Sequence, residues 1–356
     1  MVNMMEGSRE LEANQCPEVA VSVIVLNYKG RAYLFGCLRS VLASNFSDFE
    51  LVLVDNASSD GSTDESIRRI SDSRLRVVSS IHNLGYAGGN NLGAAHANGK
   101  YLVFLNFDTI VDPKWLDEIV LFMEDRPDVG IAQCSLHLIE DPRTFDNVGH
   151  YIDSIGLTYF LGRHEIDRGQ YNTAREIFGA FGAALVARRG LFRQLGGFDA
   201  DFFMFFEESD LCWRAWIAGY KVAFIPKAIV LHKGAVTYDS KREYDSARNA
   251  YYFTRNRLTA LLKNYEFVNV LRLAPANILF MLGLSVMDLQ KRKTREALAI
   301  VRGLYWNLRN FDKTARKREE VGRLRKNGDD FLMNRNIIRR FKMRRAVEKA
   351  QNMRVI

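Results

Sequence analysis

The sequence predicts an α/β fold with a mainly parallel sheet flanked by helices, and three observations carry that expectation. First, Val21-Ser22-Val23-Ile24-Val25-Leu26, Phe49-Glu50-Leu51-Val52-Leu53-Val54 and Tyr101-Leu102-Val103-Phe104-Leu105 are near-continuous apolar runs, the pattern of strands buried on both faces. Second, stretches with apolar residues at helical spacing lie between them, and this alternation builds βαβ units. Third, each run stops on polar residues, where a parallel sheet gathers ligands outside its carboxyl ends.

Taken in order, residues 31–44 place Leu34, Leu38, Val41 and Leu42 on one helical face. The second strand runs into Asp55-Asn56-Ala57-Ser58-Ser59-Asp60-Gly61-Ser62, in which Asp60 or Ser62 can cap a helix through Ile70. A short strand follows at 75–79. The glycine-rich stretch 83–93 reads as a turn opening a helix to about Asn98, and its amides, around Gly88 and Asn90, could meet a phosphate or a sugar. It matches neither the dinucleotide fingerprint nor a phosphate loop, which counts against a dehydrogenase or a P-loop ATPase. Beyond it come a helix at 113–124, a strand at 129–138 and a loop-like excursion at 141–175. A small apolar stretch at 178–186 precedes a turn at Gly196-Gly197-Phe198-Asp199, a helix at 207–219 and a strand at 222–231 that delivers His232.

After about residue 238 the pattern turns helical. Residues 248–263 form one helix. Residues 273–287 are strongly apolar but interrupted by Pro275 and Asn277, and they fall short of the ~20 residues that a membrane span needs. Basic flanks at Arg272, Lys291, Arg292 and Lys293 favour an interfacial position. The expected organisation is a disordered tail at 1–19, a catalytic domain at 20–240 and a basic helical extension at 241–356.

The net charge of +8 is uneven, with 21 Lys and Arg against 7 Asp and Glu from residue 289 onward. Such a tail suits a polyanion, and an anionic membrane surface is expected rather than nucleic acid, for which no recognition motif is present. Four dispersed cysteines and a polar start without a signal peptide fit a cytoplasmic protein with reduced thiols.

The chemistry-bearing residues sit at strand ends: Asn27, Asp55 with Asp60, and Asn106 with Asp108. Two oxygen ligands side by side in Asn106-Phe107-Asp108 suit a divalent cation, Mg2+ or Mn2+, completed by water and phosphate. Glu207 and Glu208 interrupt a run of phenylalanines, and an apolar surround raises a carboxylate's proton affinity toward that of a general base. Ser209 or Asp210 could cap the helix behind them. His232, followed by Lys233-Gly234, carries an imidazole of the kind that commonly ligates metals, although a lone histidine is more often structural and its weight comes from its position after the acids.

The ordered set of these stretches resembles the family 2 inverting glycosyltransferases of GT-A fold, most closely rhamnosyltransferase-type members that extend cell-surface glycans. The resemblance covers about residues 21–263. It implies that Asn27, Asp55 and Asp60 hold the nucleoside of a UDP- or dTDP-linked donor, with Gly88, Asn90 and Asn106 also on the donor side. Asp108 and His232 would bind the metal, while Gly182 and Ala183 would leave room for the sugar. Glu208 would be the base and Glu207 would help position a glycan or lipid-linked glycan acceptor. Two departures from the family pattern stand out: Asn106 replaces the first acid of Asp-x-Asp, and Glu208 replaces an aspartate. A different-class alternative is a non-catalytic subunit that binds nucleotide sugars or glycans.

Overall fold

The computed structural model describes residues 19–234 and 245–343. The tail expected to be disordered, the boundary near residue 240 and the end of the basic extension lie outside those residues.

Four parallel strands, β1 (Val21–Asn27), β2 (Phe49–Asn56), β3 (Leu75–Ser80) and β4 (Tyr101–Asn106), form half of the main sheet in the order β4-β1-β2-β3. Alternation sends Ile24, Val52, Val54, Leu102 and Phe104 into one apolar cluster, and Val23, Val25, Leu51, Leu53 and Val103 into the other. Both faces are therefore covered, as the continuous apolar runs require. Helices α1 (Leu34–Leu42) and α4 (Trp115–Asp125) close the second cluster, with the Trp115 indole donating to the Ser44 hydroxyl at 2.9 Å. Helix α2 (Ser62–Arg68) follows β2.

The helix expected to open from the glycine-rich stretch is α3 (Gly85–Ala95), and it begins within the glycines themselves. A Cβ on Gly93 would stand 2.5 Å from the Ile24 Cγ2 and 2.9 Å from the Val54 Cγ2. Glycine there lets the helix lie directly on β1 and β2, a packing role that composition alone does not separate from a ligand loop.

In the other half, β5 (Thr109–Val111) follows β4 after a two-residue turn, and β6 (Val129–Leu138) pairs in parallel with β12 (Lys221–His232). The strand β11 (Ala184–Arg188) runs antiparallel between β4 and β6. The excursion at 141–175 is more ordered than its loop-like composition predicts. It contains β7 (Phe145–Asn147), β8 (His150–Asp153) and β9 (Thr158–Phe160), and β10 (Arg175–Glu176) ends it. Strands of two to four residues are too short for periodicity to register. Helices α5 (Arg189–Gln194) and α6 (Glu207–Ile217) precede β12.

The C-terminal helices are α7 (Ser246–Asn264), α8 (Phe267–Gln290), α9 (Thr294–Arg309), α10 (Phe311–Leu324) and α11 (Asp329–Asn334). Ala260, Leu261, Val321 and Leu332 enter the same apolar cluster as the strands, and β13 (Ile338–Arg339) pairs with β8. The interruption expected at Pro275 and Asn277 does not occur, and α8 runs through both. Pro275 is exposed, while Asn277 faces inward and donates to the Ile155 carbonyl at 2.8 Å.

Neither Ser209 nor Asp210 caps α6. Asp210 is wholly buried and receives Arg214 at 2.8 Å, Lys263 at 2.8 Å and Asn264 at 2.9 Å. Burial opposes ionisation there, but the two cations overrule it and hold the carboxyl below the usual range. Lys263 also reaches Asp199 at 2.8 Å, and Lys317 of α10 pairs with the same aspartate. The helix bearing Glu207 and Glu208 is thus pinned to the C-terminal helices by buried charge.

Candidate active site

The carboxyl ends of β1, β2 and β4 lie side by side, with Asn27 level with Asp55 and Asn106 level with Leu26. Not all of these polar ends face outward. Asn27 is wholly buried, donating to the Ser62 and Thr63 hydroxyls at 2.8 and 2.9 Å and accepting from the Gly30 amide at 3.1 Å. Its side chain joins two loops at the strand end where the nucleoside is expected. Asp55 is half-buried and accepts the Ser58 amide through Oδ1 at 2.9 Å. Asp60 accepts from the Ser62 amide and hydroxyl and from the Arg31 amide at 3.1 Å. Against partial burial, those donors lower its proton affinity.

Asp108 stands in the turn between β4 and β5, and β5 pairs antiparallel with the end of β12, so that Thr109 faces His232. That pairing puts the His232 Nε2 3.4 Å from the Asp108 Oδ1. The other imidazole nitrogen, Nδ1, lies 2.9 Å from the Asp146 Oδ2. Asp146 is buried on β7 and was not singled out from the sequence, because nothing in a stretch read as loop marks it. With Nδ1–H given to Asp146, the Nε2 lone pair faces a carboxylate oxygen that is buried and accepts no hydrogen bond. Two electron-rich atoms so placed need a proton or a cation between them. Without a cation the proton wins: burial disfavours the imidazolium, yet Asp108 and Asp146 raise it to about 10. The donor set therefore fits a divalent ion. Among the described residues no group of three His, Cys, Asp or Glu side chains gathers around one point, so two protein ligands would leave the other positions to phosphate and water.

Glu207 and Glu208 open α6, and each has one buried carboxylate oxygen with no hydrogen-bond partner. Burial is the main cause that raises Glu208 to about 7. Burial, with Glu208 adding to it, holds Glu207 well above the usual range. Burial thus raises the proton affinity of both neighbouring carboxyls, as suits groups that exchange protons near neutral pH. The backbone leading into them is unusual: Phe203, Phe205 and Phe206 have φ of 62, 68 and 72°. Such values in bulky residues persist only where the surroundings enforce them. Enforcement comes from α7, where Asn256 Nδ2 donates to the carbonyls of Phe202, Met204 and Phe205 at 2.9, 2.8 and 2.7 Å. Phe205 also stacks on Phe253 with ring centroids 4.3 Å apart.

The segment 180–183 joins the two halves of the site. Phe181 packs its ring 6.2 Å from the His232 ring, and the Ala183 carbonyl accepts the Asn106 amide at 3.0 Å. Next to it, the Gly182 carbonyl accepts the Tyr86 hydroxyl at 2.7 Å, and Glu208 and Glu207 both act electrostatically on Tyr86. Residues 181–183 and Tyr86 therefore link the Asn106–Asp108–His232 end of the sheet to the neighbourhood of the two glutamates. Gly182 is small because a Cβ would stand 2.7 Å from the Tyr86 oxygen, and Ala183 is wholly buried in the apolar core. Both small residues also serve packing. Gly88 and Asn90 lie within α3, and the buried Asn90 side chain donates to the Tyr86 carbonyl at 3.0 Å. Amides at the start of that helix go to Asn56, Asn83 and the Phe203 carbonyl, which corrects the reading of a free phosphate cradle.

A mainly parallel central sheet flanked by helices, with polar residues at its strand ends, matches the GT-A fold of the solved structures below. Residues 22–196 match the family described as Glycosyl transferase family 2. O-antigen biosynthesis protein RfbC of Myxococcus xanthus is 31% identical over 221 residues, which is 59% of this chain and 17% of RfbC. The low-salt glycan biosynthesis hexosyltransferase Agl10 of Haloferax volcanii is 24% identical over 67% of this chain and 75% of its own. The chain thus spans well under two thirds of RfbC. Among solved structures, the mannosyltransferase PcManGT of Pyrobaculum calidifontis, in complex with GDP-Man and Mn2+, superposes with a TM-score of 0.51 at 17% identity, covering 93% of each chain. S. aureus TarS 1-349 in complex with UDP-GlcNAc gives 0.52 at 17% identity, over 69% of this chain and 67% of that one.

Proposed function

We propose that the protein is a metal-dependent inverting glycosyltransferase. It would move a hexosyl or rhamnosyl group from a UDP- or dTDP-linked donor to a glycan or lipid-linked glycan acceptor in cell-surface polysaccharide synthesis. The observation that carries the reading is the run of contacts that leads from the Asp108–His232 pair through Phe181 and Gly182 to Tyr86, on which the raised Glu208 carboxyl acts. Support for the substrate class comes from the family match and from the O-antigen and glycan-synthesis relatives. The proposed setting is cytoplasmic, peripheral at the inner face of the cell membrane.

In this mechanism Asp55 and Asp60 face the nucleoside, with the β1 and β2 loops braced by Asn27. Asp108 and His232 would hold the divalent cation, and Asp146 keeps the His232 tautomer that can ligate. A cation bound there supplies Lewis-acid stabilisation of the charge that develops on the diphosphate. Glu208 accepts the proton of an acceptor hydroxyl, whose oxygen attacks the anomeric carbon from the face opposite the nucleotide. The bond to the diphosphate breaks as the new glycosidic bond forms, and configuration inverts. Glu207, whose proton affinity burial raises, helps to orient the acceptor.

A panel of UDP-, dTDP- and GDP-sugars screened by thermal shift with Mn2+ should identify a donor that raises the melting temperature. Turnover of that donor should vanish in Asp108→Ala and Glu208→Gln. Tight donor binding with no turnover across a broad acceptor panel would instead establish a binding subunit.

A further inference from the structure

Helix α8 is divided sharply into two faces. Ala274, Asn277, Met281, Ser285 and Asp288 are buried at helical spacing, and Ser285 donates to the Ala297 carbonyl of α9 at 3.0 Å. On the opposite side Val268, Leu271, Leu279, Leu282, Val286 and Leu289 are all exposed, at successive turns. The helix extends roughly 36 Å at the usual rise, so an uninterrupted apolar stripe faces outward along nearly its whole length. Helix α9 repeats the arrangement: Ala297, Ile300, Gly303 and Asn307 face inward, while Leu298, Val301, Tyr305 and Leu308 are exposed.

By length and hydropathy α8 is long enough to cross a bilayer. Its polar face argues otherwise, since Asn277, Ser285 and Asp288 are spent on contacts with the rest of the protein. A span would have to surrender these and carry Asp288 into hydrocarbon. Charge selects the occupant of the outer face. The stretch 267–311 holds seven Lys and Arg against two acids, of which Asp288 is buried and Glu296 accepts the Ser246 hydroxyl. Arg272, Lys291, Arg292, Lys293 and Arg302 are exposed around the stripes. A second copy on this face would oppose cation to cation, whereas an anionic headgroup layer complements the rim while acyl chains receive the leucines.

We infer that the α8–α9 hairpin is an interfacial docking surface that lies in the headgroup plane of an anionic bilayer without crossing it. The inference deepens the reading of a membrane-borne acceptor by naming the surface that would bring the enzyme to it. The binding itself depends on no step of catalysis.

Flotation of the full chain with vesicles tests it. The protein should float with phosphatidylcholine containing about a third phosphatidylglycerol, remain below with phosphatidylcholine alone, and dissociate in high salt. The variant L279E/L282E/V286E, altered only at exposed positions, should lose about tenfold or more of the bound fraction while keeping its melting temperature. K291E/R292E/K293E should lose binding similarly. Flotation of the triple glutamate variant equal to wild type would overturn the inference. So would resistance of bound protein to alkaline carbonate extraction, which marks a span, or a concentration-dependent dimer that L282E dissolves. Donor-induced thermal shift on the same preparations reports on the transferase reading separately, because vesicle binding without any donor binding would sink that reading alone.

Discussion

The Asn256 side chain donates to the Phe205 carbonyl at 2.7 Å, so a helix late in the chain holds the turn that presents Glu207 and Glu208. Two further carbonyls, of Phe202 and Met204, share the same amide nitrogen. Replacing Asn256 by Ala strands buried acceptors at about 1–3 kcal/mol for each group left unsatisfied. We expect a lower melting temperature and a fall in kcat of about tenfold or more as the strained turn relaxes. The donor KM should hold, because none of the hydrogen bonds made by Asp55 and Asp60 involves α7. Equal loss of donor affinity and turnover would show that Asn256 supports the fold in general and not this turn.

Glu208 sets a pH dependence. Its folded value of about 7 means the base form accumulates as pH rises, so kcat should climb between pH 6 and 8 with an inflection near 7. Glu208→Gln should abolish turnover at every pH, and Glu208→Asp should keep a measurable fraction. Stability moves the other way. The folded value lies above the ordinary 4.5, so the stabilisation is complete below 4.5 and is lost as pH rises through 7. Glu208→Gln, freed of that burial cost, should be more stable than wild type at pH 8 by about 1–3 kcal/mol in denaturant unfolding.

Metal affinity should depend on a residue that touches no metal. Asp146→Asn removes the carboxylate behind His232 and should weaken Mn2+ binding in the presence of nucleotide by about 10–100-fold, read by electron paramagnetic resonance. Asp108→Asn should weaken it further. Unchanged Mn2+ affinity in Asp146→Asn would mean that the imidazole orients without its carboxylate.

Gly85 has φ of 71°, and a Cβ there would stand 2.3 Å from the Phe203 carbonyl oxygen. Gly85→Ala therefore combines left-handed strain with a backbone clash at the same turn that Asn256 secures. Loss of kcat should accompany a destabilisation of about 1–3 kcal/mol, measured by thermal unfolding. Gly190→Ala, where a Cβ meets nothing within 4 Å, is the control and should behave as wild type.

Long, fully buried strands were the most legible part of the sequence, since β1, β2 and β4 have no polar face to confuse the pattern. Asp108 and His232 were legible for a related reason: each ends an apolar run, and strand ends converge. Asn27 looked the same from its sequence, yet its amide turns inward to Ser62 and Thr63, and a polar strand end carries no mark of which way it turns. The glycines of α3 were misjudged because close helix packing and ligand approach demand the same missing Cβ. Asp146 and Asn256 left no trace. One lies on a three-residue strand, and the other sits among Thr254, Arg255 and Arg257, whose burial contradicts their polarity.

The shared aspartates Asp199 and Asp210 forbid treating the sheet region as a detachable cassette. Removing Asp210 alone would take the buried countercharge from Arg214 and leave Lys263 only Asp199, at a cost of about 3–5 kcal/mol, a loss that chemical denaturation of Asp210→Ala would expose. Cutting the chain after the last sheet strand would impose the converse, leaving both carboxylates stripped of the Lys263 and Lys317 countercharges in an apolar interior. Chimeras that exchange donor specificity with a relative should therefore carry the polypeptide through residue 324, because the recognition loops and the distant helices share one electrostatic keel.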